Sequence, residues 1–110
     1  MAHDILYVNP HGVEKQNYIF DFSDDLTGDT ALSDVGSGST ITAFDFEGVD
    51  QSATVLANKT RTSMLLSVDI TAVKEGEEYR VEFAGQGSTT NRLFVKVLEV
   101  RARTKIQGGF

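Results

Sequence analysis

The stretch Tyr18-Ile19-Phe20-Asp21-Phe22-Ser23-Asp24-Asp25-Leu26-Thr27-Gly28-Asp29-Thr30-Ala31-Leu32 decides the fold. Aromatic rings recur at every second position from Tyr18 to Phe22, the period of a strand with one buried face, and the pattern stops at an acidic turn holding Gly28. The same alternation returns at Ile41/Ala43 leading into Phe44-Asp45-Phe46, at Met64/Leu66/Val68/Ile70, at Tyr79/Val81/Phe83, and at Leu93/Val95/Val97 beside Phe94/Leu98/Val100. Between these runs lie Gly28-Asp29, Gly36-Ser37-Gly38, Gly48-Val49-Asp50, Asn58-Lys59, Glu75-Gly76-Glu77 and Gly85-Gln86-Gly87-Ser88, residues that tolerate positive φ or cap their own backbone. Residues 69–78 are the one segment that competes as a helix; β-branched Val68, Ile70 and Val73, with Gly76 interrupting, favour a strand followed by a turn. About seven strands without helical crossovers predict an all-β, antiparallel Greek-key sandwich of immunoglobulin-like type, because parallel pairing needs connections of about a dozen residues or more. The chain has neither Cys nor Trp, which excludes the disulfide-tryptophan core of antibody domains. Tyr79, near the start of the penultimate strand, is placed for a tyrosine corner, and Gly85-Gln86-Gly87 for the final hairpin turn.

Working outward, residues 17–100 form the expected sandwich, residues 1–16 an extended N-terminal arm, and residues 101–110 a basic, glycine-softened tail. Ile5, Leu6, Tyr7 and Val8 are the apolar strand of the arm, separated from the body by Asn9-Pro10-His11-Gly12. An open sheet edge leaves backbone groups unpaired, so this strand is expected to add to an edge, its own or a neighbour's. Arg101, Arg103 and Lys105 concentrate positive charge in the tail, which ends in Phe110, and they suit a contact with an acidic partner surface. The arm and tail residues are therefore the candidate partner-binding set, against the simpler reading of frayed termini.

At 110 residues and 40% hydrophobic composition, one core is available and no second lobe. The absence of cysteine removes disulfides, thiolate metal sites and cysteine nucleophiles, and suits assembly in a reducing cytoplasm. A net charge of −6 opposes binding to the phosphate backbone, so no nucleic-acid partner is expected. No run approaches the roughly 20 apolar residues of a membrane helix, and residues 1–10 do not read as a signal peptide. The Asn58-Lys59-Thr60 sequon is then incidental.

Catalytic readings are poor. The histidine bases available to a nucleophile, His3 and His11, both lie in the arm, and the carboxylate pairs Asp24/Asp25 and Glu77/Glu78 sit in turns without the aromatic platforms of a sugar cleft. Asp21, Ser23, Asp25 and Asp29 alternate as oxygen ligands, but Leu26 and Leu32 stand where an EF-hand requires Gly and Glu. A calcium site between sandwich loops and turn-capping aspartates remain as two readings of this loop. Gly85-Gln86-Gly87 is followed by no helix and does not read as a phosphate cradle, so no cofactor is expected.

The order of features from Asn17 onward resembles a family of small structural proteins from tailed bacteriophages and prophages. The resemblance rests on the aromatic-Asp-aromatic-Ser-Asp segment at residues 20–24, the Gly28-Asp29-Thr30 turn with Ala31-Leu32-Ser33, and the threonine-rich residues 60–63 before the next strand. It continues through Glu75-Gly76-Glu77-Glu78-Tyr79, a glycine/threonine loop and the closing strand at residues 92–100. It implies an Ig-like module on a capsid or tail, used as decoration, cement or a weak adhesin, and it transfers no catalytic residue. Tryptophans frequent in that family are replaced by Phe22 and Asp25-Leu26, and the chain does not continue into a fibre shaft, which favours a capsid decoration protein over a fibre subunit. The expected location is the virion, assembled in the host cytoplasm, with the major capsid protein or other virion proteins, and copies of itself, as partners. The alternatives are a tail- or fibre-associated subunit and a carbohydrate- or host-surface-binding module, the latter reading glycans through Phe46, Asn91 and Arg92.

Overall fold

The computed structural model describes residues 3–8, 16–71, 73, 74 and 76–102. Seven strands run as β1 (His3–Val8), β2 (Gln16–Asp21), β3 (Thr40–Asp45), β4 (Leu56–Thr62), β5 (Leu65–Ile70), β6 (Glu78–Gln86) and β7 (Leu93–Ala102), with a one-turn helix α1 (Ser52–Val55) between β3 and β4. They form a four-stranded sheet in the order β1-β7-β6-β3 and a three-stranded sheet in the order β2-β5-β4. The all-β, two-sheet expectation holds. Uniformly antiparallel pairing does not: β1 runs parallel to β7, from His3 opposite Val97 to Val8 opposite Ala102, so the larger sheet is mixed. Most of the chain separates these strands, and that satisfies the long connection parallel pairing requires.

The alternation read from the sequence becomes the interior. Leu66, Val68 and Ile70 of β5, Tyr79, Val81 and Phe83 of β6, and Leu98, Val100 and Ala102 of β7 point inward and are buried. Phe20 of β2 meets Phe83 of β6 edge-on at 4.8 Å between ring centres, and Tyr18 packs edge-on against Phe20 at 5.2 Å, joining the two sheets through aromatic contacts. Tyr18 also ties β1 to β2, its hydroxyl donating to the Asp4 carboxylate at 2.6 Å. Burial and this acidic partner push the Tyr18 phenol up to about 12. Burial raises the Tyr79 pKa, against a backbone hydrogen bond at Lys74 that lowers it.

Three local readings are corrected. Gly85 and Gln86 belong to β6, and the hairpin turn lies further on, closed by the Gly87 amide donating to the Arg92 carbonyl at 2.9 Å and the Asn91 amide to the Gly87 carbonyl at 3.0 Å. Asn58-Lys59 is not a separator but a bulge inside β4, with Asn58 at φ 54 and its side-chain amide donating to Asp69 at 2.8 Å. The boundaries also move: β2 starts at Gln16, and β7 carries Arg101 within the sheet rather than in a tail.

The acidic turn after β2 fastens the sandwich. The carboxylate of Asp29 accepts the Thr89 and Thr90 amides at 2.9 and 3.0 Å and the Thr90 hydroxyl at 2.7 Å, so one side chain caps the β6–β7 turn. A Cβ on Gly87 would fall onto this carboxylate, which accounts for glycine there. The Thr90 hydroxyl, then its amide, holds the Asp29 carboxyl below the ordinary value of 3.8; hydrogen bonds from Ser23, Val49 and Ser52 do the same at Asp21, Asp45 and Asp50. Groups depressed in this way contribute stability that is complete above the unfolded carboxylate range and lost as pH falls through the folded values. Thermal melts should therefore be flat above about pH 5 and fall steeply below about pH 4. Asp29→Asn should lower the neutral melting temperature by several degrees and flatten that acid limb; an acid limb unchanged in the variant would remove Asp29 from this account.

Candidate functional site

The two outer faces of the sandwich differ in chemistry. On the three-stranded sheet, Asp69 accepts the Asn17 and Asn58 amides at 3.0 and 2.8 Å, and Thr60 and Ser67 bond each other at 2.5 Å. These polar groups satisfy one another across neighbouring strands. On the four-stranded sheet, inward residues of β7 alternate with an outward row of Leu93, Val95, Val97, Glu99 and Arg101. Beside it β1 turns Ile5 and Tyr7 outward, 48% and 44% exposed, and Leu93 is 57% exposed.

Charge on this face is organised as a lattice. Arg101 pairs with Glu99 at 2.9 Å and Glu78 at 4.0 Å, and Arg80 pairs with Glu82 at 2.9 Å while its guanidinium stacks 5.3 Å from the centre of the Phe44 ring. Its bond to Glu99, supported by Tyr7, raises the Arg101 pKa above its already high value. Strand register places Tyr7 opposite Arg101 and Arg101 opposite Glu78, and Ile5 opposite Glu99 and Glu99 opposite Arg80. The face thus offers apolar side chains beside ion pairs already formed, a surface suited to burial against another protein.

Of the candidate residues, Ile5, Tyr7 and Arg101 come together here. Leu6 and Val8 do not: they turn inward, Val8 being 1% exposed and Leu6 packed on the core. Arg103, Lys105 and Phe110 lie outside the described residues, as does His11. Leu93, Phe44 and Val97 join the face without having been singled out. Their strands were legible, but which parity of β7 faces inward required the partner strand.

A second feature stands where β3 ends. Asp45 accepts the Glu47 and Val49 amides, each at 2.9 Å, and Gly48 at φ 85 closes a tight turn that holds Phe46 77% exposed. A groove of about 340 Å³ runs beside it, lined by Asp45, Phe46, Tyr79, Arg80, Val97 and Glu99. Asn91 and Arg92 sit at the opposite end of β6, since Asp45 pairs with Tyr79 and Gln86 with Leu93. Phe46, Asn91 and Arg92 therefore do not share one site.

The aspartates of the first acidic loop diverge. Asp21 accepts the Ser23 amide and hydroxyl, Asp25 pairs with Lys96 at 2.8 Å, and Asp29 caps the Thr89-Thr90 turn. Lys96 also donates to the Asp21 carbonyl at 2.8 Å and lies over the Phe20 and Phe22 rings at 5.5 and 5.3 Å. These carboxylates act as turn caps and clasps in this arrangement. Among the described residues no helix is long and apolar enough to cross a membrane.

A scan against protein-family models matched none, and a search of curated proteins found no significant similarity.

Proposed function

We propose that the chain is a non-enzymatic structural protein of a tailed-bacteriophage virion, a capsid decoration or cement protein docked on the outer shell. The observation that carries this reading is the outer face of the four-stranded sheet, where Ile5, Tyr7 and Leu93 stay exposed beside a closed ion-pair lattice. A cysteine-free core dense in aromatic and β-branched residues suits a protein assembled in a reducing cytoplasm and then held on a particle outside the cell. The wiring supports an immunoglobulin-like assignment: β2-β5-β4 and β7-β6-β3 follow the B-E-D and G-F-C orders of that fold. In this reading the partner is the major capsid protein or a neighbouring shell component, and the location is the virion.

The test is quantitative mass spectrometry of purified particles from the source. Copies in numbers comparable to the major capsid protein support decoration; a handful per particle moves the chain to the tail or portal vertex, and absence from particles overturns the reading. Binding should then be lost in Tyr7→Lys and Leu93→Lys, which alter exposed positions and leave the core intact. Removing residues 1–16 is the weaker probe, because it also takes away a strand paired along its whole length with β7 and the buried Val8. Surface binding to a carbohydrate or host is the second reading, favoured by Phe46 beside its groove; glycan-array binding abolished by Phe46→Ala would support it.

A further inference from the structure

The sandwich has four edge strands, and the described residues guard two of them along their length and a third at one carbonyl. β4 is broken by the bulge at Asn58 and carries Lys59 and Arg61. Beyond β3, Asp50 bridges back to Phe44 and α1 follows directly. At β2, Lys96 covers the Asp21 carbonyl. Bulges, lysines and covering elements are the usual devices against edge-to-edge pairing. β1 has none of them: its six residues contain no Pro, Lys or Arg, and it pairs with β7 in unbroken register.

We infer that β1 is a self-pairing edge, and that two copies of this chain join through antiparallel β1–β1 pairing about a two-fold axis at Leu6, giving one eight-stranded sheet. Charge decides for a second copy over a basic or acidic partner. The acid of β1, Asp4, lies on the face opposite Ile5 and Tyr7 and accepts the Tyr18 hydroxyl, and the outward side chains Ile5 and Tyr7 are uncharged; the two-fold sets Asp4 opposite Val8, so it brings no like charges together despite the net −6. With the axis at Leu6, each Ile5 lies opposite the second copy's Tyr7, a β-branched/aromatic pair of the kind that stabilises antiparallel sheets. The row across the joint then reads Glu99, Ile5, Tyr7, Arg101, placing an acidic residue of one copy and a basic residue of the other on either side of the apolar pair. An axis at Ile5 would instead set Asp4 against Leu6.

The inference is independent of particle docking and is tested without particles. Sedimentation of the full chain should show a concentration-dependent dimer, and Ile5→Lys, at an exposed position, should weaken it at least about tenfold with unchanged circular dichroism. In this cysteine-free chain, a mixture of Ile5→Cys and Tyr7→Cys should form the mixed disulfide on mild oxidation well ahead of either homodimer. A chain that stays monomeric at millimolar concentration, a dimer indifferent to Ile5→Lys, or cross-linking without preference for the 5–7 pair would overturn it.

Discussion

Phe83→Ala should be the most damaging single truncation in the molecule, lowering stability by about 3–5 kcal/mol. Phe83 is fully buried at the centre of β6 and receives Phe20 at 4.8 Å and Tyr18 at 6.4 Å from the opposite sheet. Truncation removes apolar burial, deletes both aromatic contacts and leaves a cavity that cannot collapse, because the strands on either side are fixed by the β3–β6 and β6–β7 ladders. Set against the roughly 5–15 kcal/mol total stability of a domain, the loss takes the chain close to the unfolding threshold at 37 °C. Urea titration followed by circular dichroism measures it directly. A midpoint within error of the wild type would mean that Phe83 is not the joint between the sheets.

Gly85→Ala should come next, and for the opposite reason. A Cβ at this position would stand 2.9 to 3.1 Å from three carbons of the Phe22 ring, which is itself fully buried. The ring has nowhere to retreat: the Phe22 amide donates to the Met64 carbonyl at 2.9 Å, and Lys96 lies over its face. Overpacking of this kind costs about 1–3 kcal/mol and sometimes more. The pair should show compensation, with Phe22→Leu restoring part of the stability lost in Gly85→Ala, so that the double variant is more stable than the sum of the two single losses allows. Additive losses would show that the ring and the glycine are not in conflict.

These two predictions also mark what was legible in the sequence. The inward residues of β5 and β6 stand in strict alternation, and that pattern named Leu66, Val68, Ile70, Val81 and Phe83 as core. Gly85 read as a turn because glycine more often supplies positive φ than makes room for a ring, and nothing local distinguishes the two uses. β4 escaped for a related reason: Leu56–Thr62 has a nearly polar sequence, and it becomes a strand because β5 offers a partner, not because of its own pattern. Both parities of β7 carry apolar residues, Leu93, Val95 and Val97 on one and Phe94, Leu98 and Val100 on the other, so the choice of inner face waited on β6 and β1. The candidate site was half visible. In the sequence Ile5 and Tyr7 belong to one terminal arm and Arg101 to the other, whereas the parallel β1–β7 register sets Tyr7 beside Arg101 on one face.

That parallel pair has a mechanical consequence. β1 enters at His3 and β7 leaves at Ala102, and the two strands run the same way in unbroken register. Tension applied to the two ends of the chain in opposite directions drags β1 backward and β7 forward along a common axis. Every backbone hydrogen bond between them is then strained together in shear, instead of being peeled open one at a time. The clasp also lies between the points of pull and the remaining strands, so β2 to β6 feel no force until it slips. A sandwich wired in this way resists being stretched from its ends far better than its thermodynamic stability alone would suggest.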